Sequence, residues 1–298
     1  MKIAYNPFLP IGEYIPDGEP HVFGDRVYLF GSHDRENGDT FCMEDYQFYS
    51  APTDDLSDWT HNGVNYRAKQ DPYYSEEKPY MFAPDVVQGN DGRLYLYYAL
   101  AGYKGDGGFD SPISVAVSDK PDGKYEYHGY VKNEDGSIFN KKIPFDPAVI
   151  NDEGTIRLYF GWGLTVSRSK LPFINKIIYR TMSNMFNKNV EEIETEQEGI
   201  MGAFTVELSG DMLTVKKEPK RIVPSQFDNK GTSFEGHAFF EASSIRKLWV
   251  CITLYMPPKI IMNFVTPQVV IQIENLCIRE RLFPVLISDM EIKHIKML

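Results

Sequence analysis

The stretch EPHVFGDRVYLFGSH, residues 19–33, decides how this chain folds. A short run of β-branched and aromatic residues leads into Gly24-Asp25, and a second aromatic run follows directly. Two such runs around a glycine turn predict a pair of antiparallel strands, because glycine supplies the positive φ that a tight turn requires. The stretch therefore predicts a β-hairpin.

The same pattern recurs three times further along the chain. The related segments are APDVVQGNDGRLYLYYAL from Ala83, DPAVINDEGTIRLYFGWG from Asp146 and EASSIRKLWVCITL from Glu241. Pro20, Pro84 and Pro147 stand at the start of the first three segments, at intervals of 64 and 63 residues. Regular recurrence of a small antiparallel unit is typical of a β-propeller, and we favour this fold over a sandwich built of hairpins.

One segment departs from the strand pattern. Residues 167–199 have few glycines, mixed charge and apolar residues at roughly helical spacing. We therefore predict a helical insertion at one end of the propeller.

Composition and charge exclude some classes of partner. The 298 residues include 31 Lys and Arg against 42 Asp and Glu, a net charge of −11. Nucleic acids and anionic membranes attract clustered basic residues, so we expect neither as a partner. The start lacks the apolar run of a signal peptide, and no window reaches the length of a transmembrane helix. The three cysteines are too scattered for a disulfide framework or a zinc site, which favours a cytoplasmic protein.

Acidic residues stand at three of the four segment starts, namely Glu19, Asp146 and Glu241. The first strand of each propeller blade lines the central axis, so we expect these acids to converge. Carboxyls that converge repel and desolvate one another, which raises at least one pKa and suits that group to general-acid catalysis. Hydrolysis of a glycoside needs one protonated acid and one ionised carboxylate.

Four motifs together resemble glycoside hydrolase family 43: EPHVFGDRVYLFGSHD, FAPDVV, FDPAVI and EASSIRK. They occur in the family's order and cover about residues 5–247. The resemblance implies an all-β, five-bladed propeller that removes arabinose, xylose or galactose from plant polysaccharides with inversion. It implies an oligosaccharide substrate and no required cofactor, and it leaves open a structural calcium or sodium ion in the central channel.

The resemblance also implies roles for the acids. Glu241 matches the general acid, and Asp146 matches the acid that tunes and orients it. The family usually has Asp directly before the first proline as the general base, whereas this chain has Glu19 there and Asp17 two residues earlier. We favour Glu19 as the base, with Asp17 as its rival. Glu235 competes with Glu241, but only Glu241 begins the motif EASSIRK, which leads into the blade strand.

Three residues are candidates for contacts with a sugar. Phe82 resembles the family's aromatic platform, and Trp162 in YFGWG is a second aromatic candidate. Aromatic faces suit the C–H face of a sugar, but buried aromatic residues usually belong to the core, and for Trp162 both interpretations stay open. His237, close before Glu241, is the third candidate.

The chain changes character after Lys247. There is no glycine from His237 to Leu298, although 23 occur earlier. Because a propeller needs glycine turns between its strands, we predict a catalytic propeller domain in residues 1–247 and an aberrant segment, 248–298, in place of the last blade. A frameshift or truncation is one hypothesis for this segment; a divergent segment that packs as an extra element is the other.

The leading interpretation is an exo-acting glycosidase, a β-xylosidase or an α-L-arabinofuranosidase, that acts on plant-derived oligosaccharides. A catalytically inactive carbohydrate-binding propeller is the alternative, and both the Glu in place of Asp at residue 19 and the altered last blade favour it. A protein-interaction propeller would leave the converging acids unexplained.

Overall fold

The computed structural model describes residues 8–101, 109–196, 199–248, 251–256, 269–272 and 278–280. Strands dominate these ranges, and two α-helices and one short 3-10 helix, Ala68–Gln70, lie between them. Neither α-helix has the length and the apolar character that a membrane span requires.

The strands form four antiparallel sheets of four strands each, and neighbours in sequence pair within each sheet. The first sheet contains β1 (Glu19–Phe23), β2 (Arg26–Phe30), β3 (Tyr46–Pro52) and β4 (Thr60–Tyr66). The second contains β5 (Met81–Gln88), β6 (Leu94–Leu100), β7 (Ile113–Ser118) and β8 (Glu126–Tyr130). The third contains β9 (Ala148–Asp152), β10 (Thr155–Trp162), β11 (Gly202–Leu208) and β12 (Lys220–Pro224). The fourth contains β13 (Ser244–Leu248), β14 (Cys251–Met256), β15 (Val269–Gln272) and β16 (Ile278–Glu280).

All four hairpins predicted from the sequence are present. In the first of them, β1 and β2 pair around a turn in which Phe23 faces Arg26 and Gly24 has a φ of 64°. The equivalent pairs are β5 with β6, β9 with β10, and β13 with β14. The prediction of a mainly β chain is confirmed.

The aromatic strands are buried between neighbouring sheets, as β6 shows. Its seven residues are all buried. Leu96 and Tyr98 belong to a hydrophobic cluster shared with the first sheet, whereas Tyr95 and Tyr97 belong to one shared with the third sheet. Because successive side chains of a strand point to opposite faces, one strand contributes to two cores and is apolar along its whole length.

The helices α1 (Pro172–Phe186) and α2 (Val190–Thr195) lie between β10 and β11, inside the range 167–199. Proline at the first position suits a helix start, and Asn187 ends α1 with a left-handed φ of 48°. Tyr179, Met182 and Phe186 are the buried residues of α1, and they join a cluster that includes Phe145. The helices therefore cover the end of the sheets at which residue 146 lies.

The first strands of successive sheets lie side by side: β1 contacts β5, β5 contacts β9, and β9 contacts β13. Within the described ranges there are four sheets, so five blades stay a prediction. Part of the segment predicted to be aberrant completes the fourth sheet, since Ile252 and Leu254 of β14 are buried in a cluster with Ile245 of β13. The domain boundary at residue 247 also stays a prediction.

Candidate active site

Three first strands are preceded by the same unusual backbone conformation. The residue two positions before the strand has a positive φ in each case: 54° at Asp17, 47° at Asp146 and 54° at Ala242. This conformation is uncommon for residues with a side chain, although aspartate tolerates it better than most. By this register Asp17 and Asp146 are equivalent, and Glu241 comes one residue before the equivalent Ala242.

This register corrects the alignment by proline. Pro147 lies before β9, whereas Pro20 is the second residue of β1. An alignment that matches Pro20 with Pro147 therefore displaces β1 by two residues relative to β9. In that alignment Glu19 is the counterpart of Asp146. In the structure that counterpart is Asp17.

Asp17, Asp146 and Glu241 lie near enough for their charges to interact. Burial raises the pKa of Asp146 well above its usual value, and the charges of Glu241 and Asp17 raise it further. Burial also raises the pKa of Glu241 to about 7, with a further contribution from Asp17. The pKa of Asp17 is itself raised by burial. The pKa values of all three carboxyls are thus raised, and that of Glu241 comes close to neutral pH, which suits this residue to general-acid catalysis.

Asp146 is fixed to the start of β13. Its Oδ2 accepts a hydrogen bond from the backbone nitrogen of Ala242 at 3.0 Å, and the residue is only 5% exposed. Ala242 directly follows Glu241. The contact therefore sets the position of one carboxyl relative to the backbone of the other.

Asp17 is held by a residue that the sequence analysis missed. The hydroxyl of Ser32 donates to Asp17 Oδ2 at 3.3 Å and accepts from the backbone nitrogen of Ala83 at 2.8 Å. Ser32 is completely buried. It comes two residues after β2 in the motif FGSH, and this position at a strand end was the available signal. Cys42 lies beside it, and burial raises the pKa of the thiol to about 12, so it is neutral.

Glu19 belongs to a second group, here called the axial cluster: Glu19, His21, Asp85, Ser244 and Arg246. Glu19 Oε2 accepts hydrogen bonds from Ser244 Oγ at 3.0 Å and from Arg246 Nη2 at 2.5 Å. His21 Nε2 lies 2.6 Å from Asp85 Oδ1. The structure thus groups Glu19 with side chains of β13 and β5.

The axial cluster is where a metal ion would have to bind among the described residues. Glu19, His21 and Asp85 offer ligand atoms within 4.8 Å of one another. These atoms are already engaged, because Arg246 lies against Glu19, and Asp85 also accepts from the backbone nitrogens of Val86 at 2.8 Å and Val149 at 2.7 Å. The residues as they stand do not fit a bound cation.

The predicted sugar contacts differ in exposure. Phe82 is only 6% exposed and packs against Phe145, with ring centroids 5.6 Å apart. Trp162 is half-buried, 5.1 Å from the ring of Phe186 and 6.4 Å from that of Phe240. Phe240, which the sequence analysis missed, directly precedes Glu241 and is also half-buried.

The two remaining polar candidates lie on the segment before β13. His237 is half-buried there, and its part in sugar binding stays a prediction. Glu235 is exposed, and its Oε2 accepts from the backbone nitrogen of Gly231 at 2.9 Å. Glu235 therefore closes a local turn, whereas Glu241 faces the other carboxyls.

The sequence pattern of glycosyl hydrolases family 43 matches residues 6–248, a range that includes all three carboxyls. This chain belongs to glycosyl hydrolases family 43. The match ends one residue after Lys247, where the composition of the chain changes.

Two curated relatives of this family 43 chain are described as xylosidase/arabinosidase. The one from Thermoclostridium stercorarium is 42% identical over 250 residues, which is 83% of this chain and 45% of the relative. The chain thus matches less than half of that protein's length. The one from Bacteroides ovatus is 31% identical over 262 residues, 83% of this chain and 71% of the relative.

Solved structures share the fold. RS223 β-xylosidase superposes with a TM-score of 0.62 and 23% identity, covering 90% of this chain and 78% of that one. CoXyl43, a family 43 β-xylosidase/α-arabinofuranosidase from a compost metagenome in complex with xylotriose, gives a TM-score of 0.62 and 22% identity. That comparison covers 94% of this chain and 81% of the other.

Proposed function

We propose that this family 43 chain is an inverting glycosidase that removes terminal xylosyl or arabinofuranosyl groups from plant-derived oligosaccharides. The observation that supports it most is the cluster of Asp17, Asp146 and Glu241, which come from three different sheets and influence one another's pKa. Asp17 and Glu241 are 224 residues apart in sequence. The curated relatives described as xylosidase/arabinosidase support the class of substrate.

In this proposal Glu241 is the general acid. Its pKa of about 7 keeps a large share of the carboxyl protonated at neutral pH, so it can give a proton to the oxygen of the leaving sugar. Asp146 orients this acid through its hydrogen bond to Ala242. Asp146 is a positioning residue because it acts through Glu241.

Asp17 is the general base that activates the attacking water. Asp17 takes precedence over Glu19 because it occupies the position equivalent to Asp146, and because Glu19 is paired with Arg246. Ser32 donates to the carboxylate form of Asp17, which favours the ionised state that a base requires. Inversion needs the base and acid carboxyls roughly 6.5–9.5 Å apart, with a water between the base and the sugar.

We assign the sugar-binding wall to Trp162 and Phe240, with Phe82 behind them in the core. Trp162 and Phe240 are half-buried next to Glu241, so their faces are available to the C–H face of a sugar. We also propose that the four sheets are blades of a five-bladed propeller. Their first strands lie side by side, as the inner strands of blades do.

The alternative is a carbohydrate-binding propeller without activity. The end of the family match at residue 248 favours it, because the chain then lacks the pattern of the last blade. The Glu19 departure no longer favours it once Asp17 is assigned as the base.

Hydrolysis of nitrophenyl β-xyloside and nitrophenyl α-L-arabinofuranoside tests the proposal, with the first-formed anomer identified by proton NMR. We expect turnover with inversion. Glu241→Gln should reduce the cleavage of xylobiose by about 10²–10⁴-fold. It should reduce the cleavage of a dinitrophenyl xyloside much less, because that leaving group needs no proton. Sugar binding without turnover would contradict the proposal and support the alternative.

A further inference from the structure

Further along the first strands, past the three carboxyls, side chains of neighbouring sheets contact one another. Alternate residues of a strand share a face, so positions two and four residues after Asp17, Asp146 and Ala242 should follow them along the same side. For β1 these are Glu19 and His21, and for β13 they are Ser244 and Arg246. The hydrogen bonds of the axial cluster join these positions, since Glu19 accepts from both Ser244 and Arg246.

Arg246 crosses from the fourth sheet to the first. Its Nη2 donates to Glu19 Oε2 at 2.5 Å and to the carbonyl oxygen of Pro20 at 3.0 Å. Its Nη1 donates to the carbonyl oxygen of Ile245 at 2.7 Å. The side chains of Arg246 and Glu19 are only 18% and 14% exposed. A buried pair with this many donors satisfied is expensive to break, because either partner alone would be a buried, uncompensated charge.

The same carboxylate is the one that a metal ion would require. Glu19, His21 and Asp85 are the described residues whose ligand atoms cluster, and two carboxylates with one imidazole suit a divalent cation. His21 Nε2 lies 2.6 Å from Asp85 Oδ1, so the imidazole and this carboxylate already face each other. A guanidinium against Glu19 disfavours a metal ion on the same carboxylate, because two cations at that distance repel each other.

We infer that Arg246 is the resident cation of the axial cluster, that it excludes divalent metal ions from Glu19, His21 and Asp85, and that removing its guanidinium opens a divalent-cation site there. The inference concerns the axial cluster alone and does not depend on the proposed glycosidase activity.

The wild-type chain gives the first test. The purified protein is treated with EDTA and dialysed, and its thermal unfolding is measured alone, with calcium chloride and with manganese chloride. Metal content is measured after dialysis against each ion. We expect no shift in Tm and no stoichiometric metal. One tightly retained ion per chain, or a Tm that rises with either ion, would overturn the inference.

Arg246→Gln gives the second test. With either calcium or manganese at about 100 times its Kd, the Tm of this variant should rise by roughly 5 °C or more. Glu19→Gln combined with Arg246→Gln removes a ligand and should abolish the rise. Arg246→Lys keeps a cation and should stay insensitive to both ions.

Arg93→Gln is the matched control, because Arg93 pairs with Asp91 at the surface, 2.8 Å away. It should behave as wild type. A folded Arg246→Gln that gains no response to either ion would show that the guanidinium is not what excludes the metal. If Arg246→Gln does not fold, Arg246→Ala takes its place, and a folded Arg246→Ala that gains no response to either ion would overturn the inference.

Discussion

The carboxylate of Asp146 accepts a hydrogen bond from the backbone nitrogen of Ala242 at 3.0 Å, next to Glu241 in the chain. Asp146 precedes β9 and Ala242 precedes β13, and both have left-handed backbone conformations. One contact thus joins two strand starts and fixes Asp146 to the backbone next to Glu241. Because the two residues lie 96 positions apart, only the packing of the third sheet against the fourth brings them together.

Replacing Asp146 tests the orienting contact. Asp146→Asn keeps an oxygen that can accept from Ala242, whereas Asp146→Ala leaves that backbone nitrogen without this partner. We expect Asp146→Ala to lower kcat by about 10²-fold, with a smaller change in KM, because misplacement of a catalytic group by ~1 Å has an effect of this size. Asp146→Asn should retain more activity. Equal losses of kcat in the two variants would argue against an orienting role.

Ser32→Ala tests the state of Asp17. The hydrogen bond from Ser32 lowers the pKa of Asp17 and opposes the effect of burial, so its removal should raise that pKa. A base must be ionised, and the acidic limb of the pH profile of kcat/KM should therefore move to higher pH. Ser57→Ala is the control, since Ser57 bonds only to Asp55 in an exposed turn. An acidic limb that stays in place would contradict the assignment of Asp17 as the base.

The ionised carboxyl of Glu241 should lower the free energy of unfolding at high pH. Its folded-state pKa of about 7 lies above the usual value of 4.5, so the folded state binds more protons than the unfolded state between these values. The stability that Glu241 contributes is complete below about pH 4.5 and is lost as the pH rises through about 7. At about pH 8 the free energy of unfolding of Glu241→Gln should therefore exceed that of wild type by about 1–2 kcal/mol, after allowance for partial exposure. The variant should accordingly unfold at a higher temperature.

The difference in free energy of unfolding between Glu241→Gln and wild type should disappear towards acidic pH. Glu235→Gln is the matched control, because Glu235 is exposed and six residues away. It should not show the effect. A Glu241→Gln variant that is less stable than wild type at all pH values would show that the carboxyl is not strained by its surroundings.

Gly161 tests the close approach of two strands beside the site. A Cβ on Gly161 would lie 1.9 Å from the carbonyl oxygen of Gly202, and its φ of +149° is one that side chains rarely adopt. The nitrogen of Gly161 also donates to the carbonyl oxygen of Phe145 at 2.8 Å, directly before Asp146. Gly161→Ala should lower the free energy of unfolding by about 2–4 kcal/mol. Gly210→Ala faces open space and should change it by less than about 0.5 kcal/mol.

The hairpins could be predicted from the sequence because they depend on local patterns. Alternating apolar residues and glycine turns specify β1–β2 and its counterparts without reference to the rest of the chain. The buried face of α1 was harder to predict. Of the apolar residues at helical spacing, Ile178 and Met185 pack against the cluster that contains Tyr179, Met182 and Phe186, but Ile177 is 59% exposed. Which face a helix buries depends on what it packs against, and helical periodicity alone does not show that.

The choice between Asp17 and Glu19 could not be predicted from the sequence. Both are acids near the same proline, and alternate positions of an extended strand share a face. The features on which our proposal of Asp17 rests are its φ and the contact of Glu19 with Arg246, 227 residues away. A left-handed conformation at an aspartate leaves no mark in the sequence, unlike one at a glycine. Ser32 was missed for a related reason, since its partners Asp17 and Ala83 meet only in the folded chain.

The most direct test compares Asp17→Asn with Glu19→Gln on a nitrophenyl glycoside that the wild type cleaves. We predict that Asp17→Asn lowers kcat/KM by about 10²–10⁴-fold while the protein stays folded, because the attacking water loses its base. Glu19→Gln should lower kcat/KM by less than about 10-fold and mainly reduce Tm, because it weakens a structural contact with Arg246. The reverse result, turnover lost in Glu19→Gln and kept in Asp17→Asn, would contradict the central claim that the acids before the strand starts form the catalytic pair.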